Sequence, residues 1–266
     1  MFRIRSCFFL ILLLPAALCW MSCSSSKPDD IPTAVQRFRL GMAEYADENY
    51  LDAFQHFEVI RLQFPGSPVS DSARYFSGMC RFHREEYLLA SYEFTQTIQS
   101  NPAGQLVSDA QYMYAECYYS LSPRYPLDQS YTIRAIDGLQ TFIELFPTHP
   151  RVPDAEKQIK ELTEKLAEKE FKTGLLYVKM ENYSAALIYF NTVIDKYYTT
   201  PFIDDAMMEK LRILIRRKNF TEAGSLITAF LDKYADSPFI GEVRTIKAKI
   251  DSAAPPAGTN ENSGRK

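Results

Sequence analysis

Histidine is nearly missing from this chain. There are three in 266 residues, His56, His83 and His149, each in a different stretch and none with a partner at metal-ligand spacing. No HExxH helix, GxSxG turn or glycine-rich phosphate loop occurs. The carboxylates lie among lysines on helical patterns and read as solvated surface. The chain therefore reads as a non-enzyme with no cofactor and no metal. Basic residues are also in deficit, 30 against 33 acidic. Two of the 30, Arg3 and Arg5, fall in residues 1–22, so the rest of the chain sets 28 basic residues against 33 acidic. Phosphate recognition needs a basic face, and a mildly acidic body excludes nucleic acid as a partner. Beyond Cys23 the cysteines are only Cys80 and Cys117, at equivalent positions of neighbouring repeats. Packed helix axes lie about 8–10 Å apart, too far for the roughly 7 Å limit between disulfide α-carbons. Buried free thiols are expected.

A bilayer-length hydrophobic run is missing as well. The apolar stretch CFFLILLLPAAL at residues 7–18 is broken by Pro15 and falls short of the roughly 20 residues that span a membrane. With Arg3 and Arg5 before it, it reads as a secretory signal over residues 1–22. Trp20-Met21-Ser22-Cys23 and three serines follow, and this resembles a bacterial lipoprotein signal with a small residue before the acceptor cysteine. Trp20 stands where an aliphatic residue is usual. Cys19 is the rival acceptor, but Leu18 before it suits cleavage poorly. The resemblance implies that Cys23 becomes the mature N-terminus and carries a diacylglyceryl group and an N-acyl chain of the palmitate type. Several acyl chains anchor stably where one does not. Ser24, in place of Asp, implies export to the outer membrane.

What the chain does have is a repeat. Tyr50–Pro65 reads YLDAFQHFEVIRLQFP and Tyr87–Pro102 reads YLLASYEFTQTIQSNP, each matching residue 37 positions after its counterpart. Gly41, Ala53, Phe57 and Pro65 recur as Gly78, Ala90, Phe94 and Pro102, then as Gly174, Ala186 and Phe190. Fainter copies surround Ala135, Leu139 and Pro147, and Ala223 and Ile227. These offsets resemble the tetratricopeptide repeat, a helix–turn–helix unit. Small residues on both helices permit close approach, Phe57, Phe94 and Phe190 fill the space between pairs, and the proline ends the second helix. The expected fold is all-α, a right-handed superhelix of about five tetratricopeptide-like helix pairs with a terminal capping helix. Ser67-Pro68, Thr200-Pro201 and Ser237-Pro238 read as capping hydroxyls before a proline at the first helical position.

The expected organisation is a tether at 23–32, three repeats at 33–150, and then 151–251 with a long connecting helix, two more repeats and a capping helix. A disordered tail at 252–266 completes it. In the third copy Ala115 lies eight residues too far from Ala135, which marks an insertion around 122–129 (SPRYPLDQ). The long helix is expected over about 154–179, roughly 40 Å at 1.5 Å per residue, with i,i+4 pairs Glu156–Lys160, Glu161–Lys165 and Glu168–Lys172.

The ordered combination of lipoprotein signal, five repeats, third-repeat insertion and long helix resembles the BamD family, from about residue 20 to 250. YPLDQSYTIRAIDGLQTFIELFPTHPRVPDAEKQIKELTEKLAEKEFKTG and ENYSAALIYFNTVIDKY carry the local similarity. The resemblance implies a non-catalytic lipoprotein scaffold of the machinery that assembles β-barrels into the outer membrane, on its periplasmic face. Its implied partners are the barrel-forming BamA subunit, bound through the C-terminal repeats, other lipoproteins of the machinery, and the C-terminal signals of unfolded barrel proteins, received by the N-terminal half. The alternative is a periplasmic tetratricopeptide adaptor for envelope growth or division, disfavoured by the absence of heptads. A carbohydrate-binding lipoprotein ranks last, for lack of loop-rich insertions.

Two sets of residues are candidate sites. Phe38, Tyr75 and Tyr112, and Tyr45, Phe82 and Tyr119, run at the 37-residue period with Met42, Met79 and Glu116 between them. Offsets of 4 and 7 place each trio on one helix face, and in the tetratricopeptide register that face lines the concave groove. Aromatics and Met suit an adaptable peptide surface, but aromatic stripes at helical spacing also serve as core, so groove and core both stay open. In the fourth and fifth copies the equivalent positions are Phe171, Leu175 and Val178, then Met208, Arg212 and Ile215. Basic residues enter there, and Arg212, Arg216 and Arg217 form a candidate partner face, a solvated helix face being the competing reading.

Overall fold

In the computed structural model, described for residues 32–253, eleven helices and no strands occur among the described residues. Cys23, the signal and the tail from residue 254 lie outside the described residues. The chain divides into two compact units, up to Ser70 and from Asp71. The first holds α1 (Ala34–Ala46) packed on α2 (Tyr50–Gln63). The second opens with α3 (Ser70–His83), α4 (Tyr87–Ser100), α5 (Val107–Leu121) and α6 (Ser130–Leu145). It continues with α7 (Val152–Lys179), α8 (Tyr183–Lys196), α9 (Ile203–Arg216), α10 (Phe220–Lys233) and α11 (Ile240–Ala253). From α4 to α11 each helix packs on the next. This is the all-α helix-pair architecture of the tetratricopeptide type. The expected insertion is the link between α5 and α6, and the expected long helix is α7, 28 residues without interruption.

The repeat is a volume rule at one crossing point. A Cβ built on Gly41 would lie 2.7 Å from Cε1 of Phe57, on Gly78 2.8 Å from that of Phe94, and on Gly174 2.6 Å from that of Phe190. The phenylalanine thus fills the space over the glycine of its own pair, and Phe94 and Phe190 also belong to cores shared with the next pair. Ala115 and Leu139 occupy these positions in the third pair, and Leu211 and Ile227 in the fifth. All four are at most 2 % exposed. From Gly–Phe to Ala–Leu the second residue shrinks as the first grows, as close packing requires; the fifth pair, with Leu and Ile, carries more side-chain volume at this crossing.

Helix ends follow the same period. At the tip of four pairs a left-handed residue, Glu48, Glu85, Glu181 or Lys218 (φ 57 to 62°), reverses the chain. The next amide then donates to the carbonyl five residues back, as in Asn49 to Glu44 and Asn182 to Tyr177, each at 2.9 Å. Between pairs two β-turns run in succession: Ser67 N–H to Phe64 O and Ser70 N–H to Ser67 O, then the same through 101–107, 146–152, 197–203 and 234–240. Pro65, Pro102 and Pro147 stop their helices and occupy position i+1 of the first turn, where a fixed φ is favourable. The capping expectation is therefore corrected. Pro68, Pro201 and Pro238 sit at i+1 of the second turn, and the helices begin two residues later, at Ser70, Ile203 and Ile240.

Two buried clusters meet along α7. Its N-terminal half gives Ala155 and Leu162 to a core with Phe94, Tyr112, Leu139 and Phe142 from α4, α5 and α6. Its C-terminal half gives Phe171 to a core with Phe190, Val193, Ala206 and Ile213 from α8 and α9.

Candidate functional site

The aromatic set packs chiefly within each pair. In the first unit the Phe38 ring lies 5.5 Å from Phe57 and Tyr45 lies 5.5 Å from Tyr50, with Met42 half-buried. In the second unit Tyr75 lies 5.7 Å from Phe94, Phe82 5.3 Å from Tyr87, and Tyr112 5.3 Å from Phe142. Tyr75, Met79, Phe82 and Tyr119 are half-buried against the α4–α6 core. Tyr112 is only 3 % exposed, so it is a core residue and lines no open groove. The cause is its crowded surroundings: Arg151 stacks 4.8 Å over its ring and its hydroxyl donates to Glu116. Burial, reinforced by Glu116, pushes that phenol well above the usual range. Burial also raises Tyr75, to about 12, with the Asp109 carboxylate adding to the effect. Cys80 and Cys117 are buried free thiols, and burial pushes Cys80 up to about 12.

Glu116 breaks the Met42–Met79 series because α7 lies against it. Gln158 Nε2 donates to Glu116 Oε1 at 2.6 Å. One or two turns further on, Glu161 accepts from the Tyr119 hydroxyl at 2.8 Å, and Lys165 Nζ donates to Ser122 Oγ at 2.8 Å. Lys169 Nζ donates to the Leu127 carbonyl at 2.6 Å. Gln129, 5 % exposed, ties the insertion from inside by donating to the carbonyls of Arg124, Tyr125 and Leu127. The three expected i,i+4 pairs of α7 are not among the ion pairs of the described residues, where Lys157–Glu161 at 4.0 Å stands instead. Tertiary partners have taken Glu161 and Lys165. Between insertion and helix lies a cavity of about 520 Å³ lined by Tyr125, Pro126, Glu161, Glu164, Glu168 and Phe202.

The three arginines of the candidate partner face part company. Arg212 is neutralised, with Glu209 at 2.6 Å and Glu242 of α11 at 3.1 Å. Those carboxylates raise its pKa despite some desolvation. It is a clasp between α9 and α11. Arg217 donates to Ser184 Oγ at 2.7 Å. Arg216 stacks 5.2 Å over Tyr183 and donates to its hydroxyl. Arg212 and Arg216 line a cavity of about 310 Å³ with Val178, Lys179, Glu181, Tyr183, Glu209 and Ile213. The sequence pattern does not single out Lys179, Tyr183 or Ile213 as site residues. Tyr183 was legible as the repeat equivalent of Tyr50, but nothing in the one-dimensional pattern joined it to a residue 33 positions later.

Catalytic geometry does not emerge among the described residues. His149 Nε2 lies 3.5 Å from Asp109 Oδ1 and its ring lies 5.1 Å from Phe142, a local structural role. Among the described residues no group of three or more His, Cys, Asp or Glu is placed to hold a metal, and no helix is long and apolar enough to cross a membrane. A family model described as outer membrane lipoprotein, YfiO, matches residues 32–223. The chain belongs to that family. It is similar to the outer membrane protein assembly factor BamD of Rickettsia prowazekii, 29% identical over 190 residues, or 71% of this chain and 76% of that protein. The BamD of Caulobacter vibrioides is 26% identical over 159 residues, 60% of this chain and 52% of that protein. Among solved structures, the TPR2AB-domain–pHSP90 complex of yeast Sti1 aligns with TM-score 0.43 at 15% identity, covering 83% of each chain. A tetratricopeptide repeat protein from Parabacteroides merdae aligns with TM-score 0.37 at 13% identity, covering 82% of this chain and 73% of that one. With its assembly-factor relatives, this family member is a non-catalytic protein.

Proposed function

We propose that the chain is a scaffold in the assembly of outer-membrane proteins, held on the periplasmic face by acyl chains on Cys23. In this reading the repeats after α7 bind a BamA-type barrel subunit, with Arg216 and Arg217 in the contact. Other lipoproteins of the machinery dock elsewhere, and the half-buried aromatic edges of the early repeats contact unfolded barrel proteins. The observation that carries the reading is the family match across residues 32–223, which takes in the third-pair insertion and α7 together. Stacked helix pairs suit such a role because they offer long surfaces and no reactive centre.

Capture through a tag after Lys266 from membranes in mild detergent tests it. A large β-barrel protein with repeated periplasmic domains should co-purify, and depletion of the chain should lower barrel-protein levels in the outer membrane. Recovery of peptidoglycan or division factors without that barrel would replace the scaffold with an envelope adaptor. Labelling with a radioactive fatty acid should mark the wild type and be lost in Cys23→Ala.

A further inference from the structure

The cavity of about 310 Å³ where the end of α7, the start of α8 and the last turns of α9 meet is lined by three cations, Lys179, Arg212 and Arg216, and two carboxylates, Glu181 and Glu209, which leaves a positive excess; Glu209 pairs with Arg212, while Arg216 and Lys179 take part in none of the ion pairs among the described residues. Lys179 is exposed in the last turn of α7. Arg216 is held in place by the Tyr183 ring and hydroxyl, a bond that uses one of its five N–H donors. Arg212, four residues earlier, is fully engaged by Glu209 and Glu242 and forms a wall of the cavity. Val178 and the buried Ile213 supply an apolar side. Arg217 and Lys218, both exposed, extend the positive edge around the tip of the fifth pair, where the first two pairs carry Glu48 and Glu85; the exposed Glu181, at the tip of the fourth pair, borders the cavity on its other side. Held cations beside an apolar wall select a ligand with a carboxylate next to a hydrocarbon side chain. A small inorganic anion would leave the apolar wall wet, and a flat lipid surface would not enter a notch between helices.

We propose that this notch is a docking site for an acidic segment of a partner polypeptide, whose carboxylate engages Arg216 and Lys179 and whose neighbouring aliphatic side chain lies against Val178 and Ile213. The inference rests on the reading that the repeats after α7 carry the partner face. The two fail separately: capture of a barrel subunit by the wild-type chain tests that reading, and a peptide titration tests the notch.

The titration uses the detergent-solubilised full chain and a fluorescein-labelled peptide of alternating Glu and Leu. Saturable binding is expected, and it should weaken about tenfold or more in Lys179→Gln/Arg216→Gln with an unchanged thermal midpoint. Lys233→Gln, which removes an exposed cation from α10, should bind as the wild type does. Added salt should weaken binding, since exposed charges are screened over about 10 Å at 0.1 M. No saturable binding, equal affinity for the same peptide with Gln in place of Glu, or equal affinity of the double variant would each overturn the proposal. So would an equal loss in Lys233→Gln, or displacement by inorganic phosphate as effective as by unlabelled peptide.

Discussion

The two ends of α7 spend their polar side chains differently. Along the N-terminal part, Gln158, Glu161, Lys165 and Lys169 are committed to Glu116, Tyr119, Ser122 and the Leu127 carbonyl. They dock the helix on α5 and pin the insertion. At the C-terminal end Lys179 has no such partner, and Arg216 beside the same cavity has only a tyrosine. One helix thus carries a seam closed on itself and an edge whose cations take part in no ion pair among the described residues. Burying polar groups is tolerable only where each finds a partner. Charges left unanswered at a cavity are tolerable because they stay in water until something replaces it.

The largest expected effect comes from breaking the seam. Glu116→Met, which restores the Met of the first two pairs, leaves the Tyr112 hydroxyl and Gln158 amide without their acceptor. We expect a loss of about 2–3 kcal/mol in urea unfolding, against no measurable change for Lys179→Gln. An unchanged midpoint would mean that water replaces the carboxylate and that the seam is not structural.

Gly174→Ala tests the packing that carries α7 from one core to the next. Its Cβ would meet the Phe190 ring at 2.6 Å, and overpacking of this kind costs about 1–3 kcal/mol. Gly174→Ala/Phe190→Leu adopts the Ala115–Leu139 solution and should recover most of it. Failure of the double variant to recover would refute the volume rule.

A smaller effect appears at alkaline pH. The folded Tyr75 phenol titrates at about 12 against an ordinary value of 10. Between the two the native state holds more protons than the unfolded one, so stability falls as pH rises through that window and is fully present below it. Tyr75→Phe should flatten the fall, measured as the thermal midpoint from pH 9 to 11. An identical slope would show that Tyr75 is solvated. The smallest effect is at the tip beside the notch. Glu181 sits at φ 57°, and Glu181→Gly should stabilise by about 0.5 kcal/mol, relief of the left-handed strain being partly offset by glycine's unfolded-state entropy.

Particular elements show how far pattern alone carries. Gly41, Ala53, Phe57 and Pro65 announced helix pairs because each meets a local steric demand that recurs with every copy, and the eight-residue excess after Ala115 placed the insertion at the α5–α6 link. The Ser-Pro and Thr-Pro pairs misled because a hydroxyl before proline fits a helix cap and a β-turn equally well, and the choice was set by the turn already made at 64–67 and its counterparts. The i,i+4 ladder of α7 misled because helix surface rules assume solvent, while Glu161 and Lys165 face another helix. The aromatic period was legible and its burial was not: Tyr112 differs from Phe38 and Tyr75 only in what α6 and Arg151 bring against it.

What the sequence determined by itself is therefore everything set by near neighbours: the repeat length, the helix pairs, the long helix and the absence of reactive motifs. Tertiary structure alone decided which charges are answered. Arg212 and Arg216 lie one helical turn apart with the same chemistry, yet Glu242 of α11 reaches one and, among the described residues, Tyr183 of α8 reaches the other. A charge's fate depends on groups some 30 residues away in the chain, brought within hydrogen-bonding distance only by packing.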